Sequence, residues 1–237
     1  MTDTSKISRL RYEEGCLGAH ALNFIGDRWA LLVVRELMFA PKRFQMIRAG
    51  LPGVTASVLT QRLTQLVQAG VVVHDDVLGV YALTEAGRAL HPVLRELCRW
   101  ALVMPGHDPR KFISLSALMI SISATVDRAA AAGSPLRAGF VSGKEGFAVT
   151  LSADGMPLVR AARAPAADFV LEGSGNALAA AVYGPGPVAL ASAGLIALRG
   201  DRSAAQQFTA LFRLATQTRS RSESPEETEQ APGVSST

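Results

Sequence analysis

"VTASVLTQRLTQLVQAGVV", residues 54–72, decides how the first half of this chain folds. Leu59, Leu63 and Leu66 recur at i, i+4 and i+7, the spacing of one helix face. Thr55 is a good N-cap ahead of them, and Gly70 suits the C′ position after the last turn. Ser57, Thr60, Gln61, Thr64 and Gln68 occupy the other faces, with a single Arg62. A solvated helix face normally mixes Lys and Glu. Short groups that both donate and accept hydrogen bonds fit two readings: a solvent face that lacks charges, or a face that matches base edges in a DNA major groove.

The flanking residues give this helix its setting and leave both readings open. "LGAHALNFIGD" has apolar positions at helical spacing and ends at Gly26, while "RWALLVVRELMFA" is apolar nearly all round, which predicts a buried central helix stopped by Pro41. "RFQMIRAGL" is a short third helix closed by "LPG". After the opening stretch, "VVVHDDVLGVYALT" gives two β-rich runs around a turn near Leu78–Gly79. "TEAGRALHPVLRELCRWAL" then predicts one helix capped at Thr84, with Leu90, Leu94, Leu97 and Trp100 as its apolar seam. Helix, turn, capped helix and hairpin in that order make a winged helix-turn-helix.

Composition narrows the classes without naming a partner. The 237 residues are 49% hydrophobic, with a formal charge of +4 and a pI of about 9.4, only a mild pull toward anions. The two cysteines, the polar start of the chain and an apolar run (113–126) too short to span a bilayer predict a reducing, cytoplasmic setting with no structural disulfide and no membrane. His20, His74, His91 and His107 are scattered, so no metal site is expected. "FVLEGSGNALAAA" (169–181) imitates a dinucleotide fingerprint, but Leu178 stands at the third glycine position and no acid follows at the right distance. It reads as the Gly-rich start of a helix. With no catalytic residues and no cofactor site in the pattern, the chain is not expected to be an enzyme.

Several separated motifs agree in order and spacing: Cys16, "IGDRW" (25–29), "LLVVREL" (31–37), "RF" (43–44), "LTQRLTQL" (59–66), "AG" before a valine run, and "LTEAGRAL" (83–90). On these, residues 14–102 resemble the HxlR family of bacterial winged-helix transcriptional regulators. The resemblance implies a homodimer on a pseudo-palindromic double-stranded operator, joined through the first helix and the helix around 86–101. It places Ala56, Ser57, Gln61 and Arg62 at base edges, and Thr55, Thr60 and Arg43 near phosphates, which position the protein without specifying sequence. Cys16 stands where many members keep an oxidant-sensing cysteine, with His20 one turn on and Arg11 close by; the other reading is a small packed residue. Cys98 reads as core. One departure is the wing, where His74, Asp75 and Asp76 and a short loop replace the family's basic residue and longer loop, which predicts a weaker grip on the backbone.

"MPGHDPR" (104–110) reads as a domain boundary. Beyond it come a helix "FISLSALMISISATVDRAAAA", strands "LRAGFVS", "GFAVTLSADG", "MPLVRAARA" and "ADFVLEG", a helix "GNALAAAVYG", a strand "GLIALRG" and a closing helix "SAAQQFTALFRLATQ". Through Asp168, Gly194, Leu195, Ile196, Gly200, Asp201 and Phe208 this half resembles the C-terminal half of sterol-carrier-protein-like domains. The expected architecture is therefore α+β: a winged helix-turn-helix domain for DNA binding and dimerisation (1–104), a sterol-carrier-like domain with an antiparallel sheet and helices (105–218), and a polar, disordered tail (219–237). The resemblance implies an apolar ligand in a pocket lined by Ile113, Leu118, Ile120, Ser121, Ile122 and Ala124; an ordinary α/β core is the other reading. The chain as a whole reads as a ligand-modulated transcriptional regulator. The alternatives are a carrier-like protein whose winged helix mainly dimerises, and a cysteine-based redox regulator.

Overall fold

The computed structural model describes residues 12–214. Arg11, the tail from residue 219 and the end of the predicted closing helix (215–217) lie outside the described residues.

The first domain contains α1 (Leu17–Ile25), α2 (Ala30–Leu37), α3 (Phe44–Ala49), α4 (Ala56–Gln68), β1 (Val72–Asp75), β2 (Val80–Leu83), α5 (Glu85–Arg88) and α6 (His91–Leu102). Its centre is α2, whose Ala30, Val33, Val34 and Leu37 pack with Ile47, Leu51 and the Leu59–Leu63–Leu66 stripe of α4. Thr55 caps α4 by accepting from the Val58 N–H, and Gly70 takes φ +70° just past its end. In the hairpin Val72 faces Leu83 and Asp75 faces Val80, with Gly79 at φ +64° in the turn.

Two helix boundaries depart from expectation. α2 ends at Leu37, before Pro41, because Lys42 leaves the helix to pair backbone with Tyr81 (N···O 2.9 and 2.8 Å), adding a bridge to the wing. The single helix expected from Thr84 is two helices: Pro92 sits in the first turn of α6, where its missing N–H is harmless, and the chain breaks just ahead of it at Ala89–Leu90. Of the predicted seam only Leu94 is buried, while Leu97 and Trp100 are 45% and 59% exposed.

The second domain contains α7 (Leu115–Thr125), α8 (Arg128–Ala131), β3 (Ala138–Ser142), β4 (Glu145–Leu151), β5 (Pro157–Ala161), β6 (Phe169–Glu172), α9 (Gly175–Tyr183), α10 (Pro187–Ser192), β7 (Ala197–Gly200) and α11 (Arg202–Thr209). Its five-stranded sheet has the order β5-β4-β3-β6-β7. The sheet is mixed rather than antiparallel throughout, since β6 returns parallel to β3, with Phe140 opposite Leu171. Val126 pairs with Phe212, which ends α7 where a longer helix was expected. α10 was not anticipated; Gly186 at φ +92° and Pro187 in the first turn start it. Phe140, Phe147, Phe169 and Phe208 fill the core with Leu118, Met119 and Ile122.

α7 belongs to both halves. Leu118, Met119 and Ile122 pack on the sheet, whereas Ile120 on another face joins the core of the first domain. A helix apolar all round is a buried one. Here it is buried between two partners, so the 104–110 segment divides the chain but not the core.

Candidate nucleic-acid interface and the interdomain seam

The polar face of α4 stands in solvent. Ala56, Ser57, Thr60 and Gln61 are exposed, as are Thr55 at the cap and Arg43 at the start of α3. Thr55 and Ser57 share a hydroxyl hydrogen bond of 3.2 Å, and Thr64 Oγ1 donates to Thr60 O at 3.0 Å. The surface thus presents the Gln61 and Gln68 amides and short hydroxyls, backed by the buried leucine stripe.

Arg62 is not part of that face, which corrects its expected role as a base reader. Only 8% exposed, it pairs with Asp27 of the "IGDRW" motif and donates to Gln65. Two motif segments far apart in sequence meet here and lock α4 to the α1–α2 junction. An Arg on a helix otherwise poor in charge carried no sign of that partner.

The wing is acidic in fact as well as in sequence. Asp75 Oδ1 accepts from the Val77 and Leu78 N–H groups (3.0 and 2.9 Å), so this carboxylate builds the turn. Asp76 is fully exposed and meets His74 Nδ1 at 2.7 Å, while the His74 ring lies 4.3 Å from that of Tyr81. Thr84 caps α5 and donates to Gly70 O at 2.6 Å; a Cβ on Gly87 would stand 2.2 Å from Val71 O, so "LTEAGRAL" keeps glycine for close approach.

α1 contributes no buried residue, and Leu17, Leu22 and Phe24 on it are exposed together with Val93, Leu97, Trp100 and Val103 on and after α6. At the head of α1 the Cys16 thiol is exposed, and the backbone N–H groups of Ala19 and Gly18 hold it below the ordinary thiol value. His20 packs edge-on to Phe24. Cys98 behaves oppositely: burial raises its thiol, with Arg35 pulling partly the other way.

The seam between the domains holds a polar cluster that sequence reading missed. Glu36 and Lys42, both essentially without exposure, form an ion pair of 3.1 Å. Lys42 Nζ also donates to Ser116 Oγ at 3.1 Å and pairs with Glu145 of β4. Ser114 Oγ donates to Glu36 Oε1 at 2.6 Å, and Arg35 reaches the same oxygen and the Gly50 carbonyl. A Cβ on Gly50 would stand 2.2 Å from Glu36 Oε2, so the cluster also dictates glycine there. The available signal was a Glu inside "LLVVREL", since a charge in an all-round apolar helix is almost never buried without a partner.

The expected pocket residues separate. Leu118 and Ile122 are packed solid against the sheet, Ala124 is buried, and Ile120 faces the first domain. Ile113, Ile120 and Ser121 do border a cavity, but it lies between the domains rather than inside the second. The residues behind the sterol-carrier resemblance have structural duties. Asp168 binds the Arg137 backbone and guanidinium, Asp201 caps α11, and Gly200 at φ +88° lets the chain pass the Asp168 carbonyl. Phe208 meets Phe169 edge-on and Phe212 at a tilt in the core. Ser174 caps α9, so "GSGN" starts a helix. Among the described residues no cluster of His, Cys, Asp and Glu could hold a metal ion, and no helix is long and apolar enough to cross a membrane.

The HxlR-like helix-turn-helix family matches residues 24–107. Among curated proteins, the uncharacterized HTH-type transcriptional regulator YvaP of Bacillus subtilis is 37% identical over 86 residues, covering 34% of this chain and 80% of YvaP. The HTH-type transcriptional regulator YodB of the same organism is 36% identical over 86 residues, 34% of this chain and 77% of YodB. Of solved structures, quinone-bound YodB from B. subtilis aligns at 38% identity with a TM-score of 0.34, covering 36% of this chain and 96% of that one. With motifs, exposed α4 face and relatives in agreement, the chain belongs to the HxlR-like helix-turn-helix family and is a DNA-binding transcriptional regulator.

Proposed function

We propose that the chain binds a pseudo-palindromic operator as a homodimer, reading bases with α4, and that a small, mainly apolar ligand bound where the second domain meets the first modulates that binding. The observation that carries the reading is the exposed face of Ser57, Thr60 and Gln61 on a helix capped by Thr55, with Arg43 free to meet phosphate. Ala56 sits in the first turn, where its methyl can contact a thymine methyl. The bare apolar surface of α1 and α6 supports the dimer, because a first helix with nothing buried gains little from its own protomer. The second domain is read as sterol-carrier-like on its helix and strand order and on the Asp168 and Gly200–Asp201 turn. Gel-shift titration with the DNA upstream of the chain's own gene tests the reading. Binding as a dimer, weakened by Gln61→Ala, is expected; equal affinity for random duplex would refute it.

A second reading, redox control through Cys16, is favoured by its exposure and lowered thiol. Alkylation of Cys16 should persist to lower pH than that of Cys98, whose thiol is raised. Mild oxidant should weaken operator binding in wild type but not in Cys16→Ser; an identical response in both would remove Cys16 from regulation.

A further inference from the structure

The cavity between the domains measures about 600 Å³, within the roughly 300–1,000 Å³ of small-molecule sites. Leu32 of α2, Leu97 of α6 and Ile120 of α7 give it apolar walls, and Arg35, Cys98, Asp108, Lys111 and Ser121 are among its polar points. Arg35 is only partly used. Its Nε and Nη2 bond Glu36 Oε1 (3.1 and 2.9 Å) and Nη2 bonds Gly50 O (3.1 Å), while Nη1 makes no hydrogen bond among the described residues. Its charge, with that of Lys42, is already balanced by Glu36 and Glu145. A guest therefore has to supply a hydrogen-bond acceptor and needs no net charge.

We propose that this interdomain cavity is the effector site, and that it takes an apolar organic molecule whose one hydrogen-bond acceptor group meets Arg35 and whose body lies along Leu32, Leu97 and Ile120. The ligand pocket thus belongs to the joint between domains and not to the interior of the second. Its walls are the elements that must communicate: α2 carries the packing of α4, and α7 is the helix shared by both cores. A guest that fits one spacing of α2 and α7 better than another shifts operator affinity by that difference alone, and the operator must shift guest affinity equally. Only this last step rests on the regulator reading.

The test uses the full chain carrying Cys16→Ser, in which Cys98 is the one remaining thiol. The probe is 8-anilinonaphthalene-1-sulfonate, an aromatic sulfonate. Saturable fluorescence and at least a tenfold slowing of Cys98 alkylation at saturation are expected, and Ser121→Phe should remove both by filling the cavity. Unchanged alkylation at saturating fluorescence would place the dye elsewhere, as on the bare α1 and α6 face, and overturn the site. This readout needs no cavity variant, so a misfolded Ser121→Phe does not blur it. Operator affinity should change about 5-fold or more with the dye. Protection of Cys98 with unaltered operator affinity would overturn the effector role, and absence of operator binding without dye would count against the regulator reading instead.

Discussion

Helices α4, "ASVLTQRLTQLVQ", and α7, "LSALMISISAT", both mix aliphatic with small hydroxyl residues, yet they place those hydroxyls oppositely. In α4 the leucines fall on one stripe, so Ser57, Thr60 and Thr64 are left in solvent. In α7 the hydroxyls are interleaved with aliphatics on every face, and Ser116 and Ser123 have no exposure at all. They are satisfied internally: Ser123 Oγ donates to Met119 O at 3.0 Å, Ser121 Oγ to Ala117 O at 3.0 Å, and Ser116 receives Lys42. A hydroxyl on a helix is therefore no sign of a binding face. Its phase against the apolar residues is the sign.

The largest effect should come from the buried side of this comparison. Glu36→Ala leaves Lys42 in the seam with one carboxylate fewer and Ser114 without its acceptor. Breaking a buried pair this way costs about 3–5 kcal/mol. Urea unfolding should show the loss, with α4 substitutions such as Ser57→Ala staying within about 0.5 kcal/mol of wild type. A Glu36→Ala loss below about 1 kcal/mol would mean the seam is wet and the domains are only loosely joined.

Next is the exposed side. Gln61→Ala should leave the unfolding midpoint in place and weaken operator binding by about 1–3 kcal/mol, the discrimination of one good base contact. The sharper form compares operator with random duplex, because a base reader loses specificity while a phosphate contact loses affinity everywhere. A uniform loss on both duplexes would move Gln61 to the backbone class.

How much of this was readable beforehand follows from the same contrast. The elements of the winged helix were legible because periodicity, caps and turn glycines are local: Thr55, Gly70, Gly79 and Thr84 each do what their residue type favours. Arg62, Leu118, Ile122 and Ala124 stand elsewhere than the sequence suggests because their surroundings depend on partners distant in sequence. Nothing near Arg62 announces Asp27, and nothing near Ile120 announces the first-domain core. The parallel β3–β6 pair escaped for the same reason, since strand candidates in a row specify neighbours only by default.

The N-cap separates the two helices at smaller scale. Thr55 holds α4 through one bond from Val58 N–H at 3.3 Å, whereas Ser114 caps α7 through Ala117 N–H at 3.1 Å and also donates to Glu36. Thr55→Ala should cost about 1 kcal/mol. Ser114→Ala should cost more, because it also removes a donor from a buried carboxylate. Equal losses in thermal unfolding would show that the Ser114–Glu36 bond adds nothing to the cap.

The smallest effect concerns the wing. Asp75 is occupied in building the turn, so Asp76, with its carboxylate in solvent beside His74, is the residue to change. Asp76→Asn removes one negative charge and disturbs no buried contact. An exposed charge is worth less than about 1 kcal/mol, so operator affinity should rise only a few-fold, and the gain should shrink as salt is raised. Titrations at low and moderate salt measure both. If affinity is the same for Asp76→Asn and wild type at each salt, the wing lies off the phosphates, and α4 with Arg43 carries the contact without it.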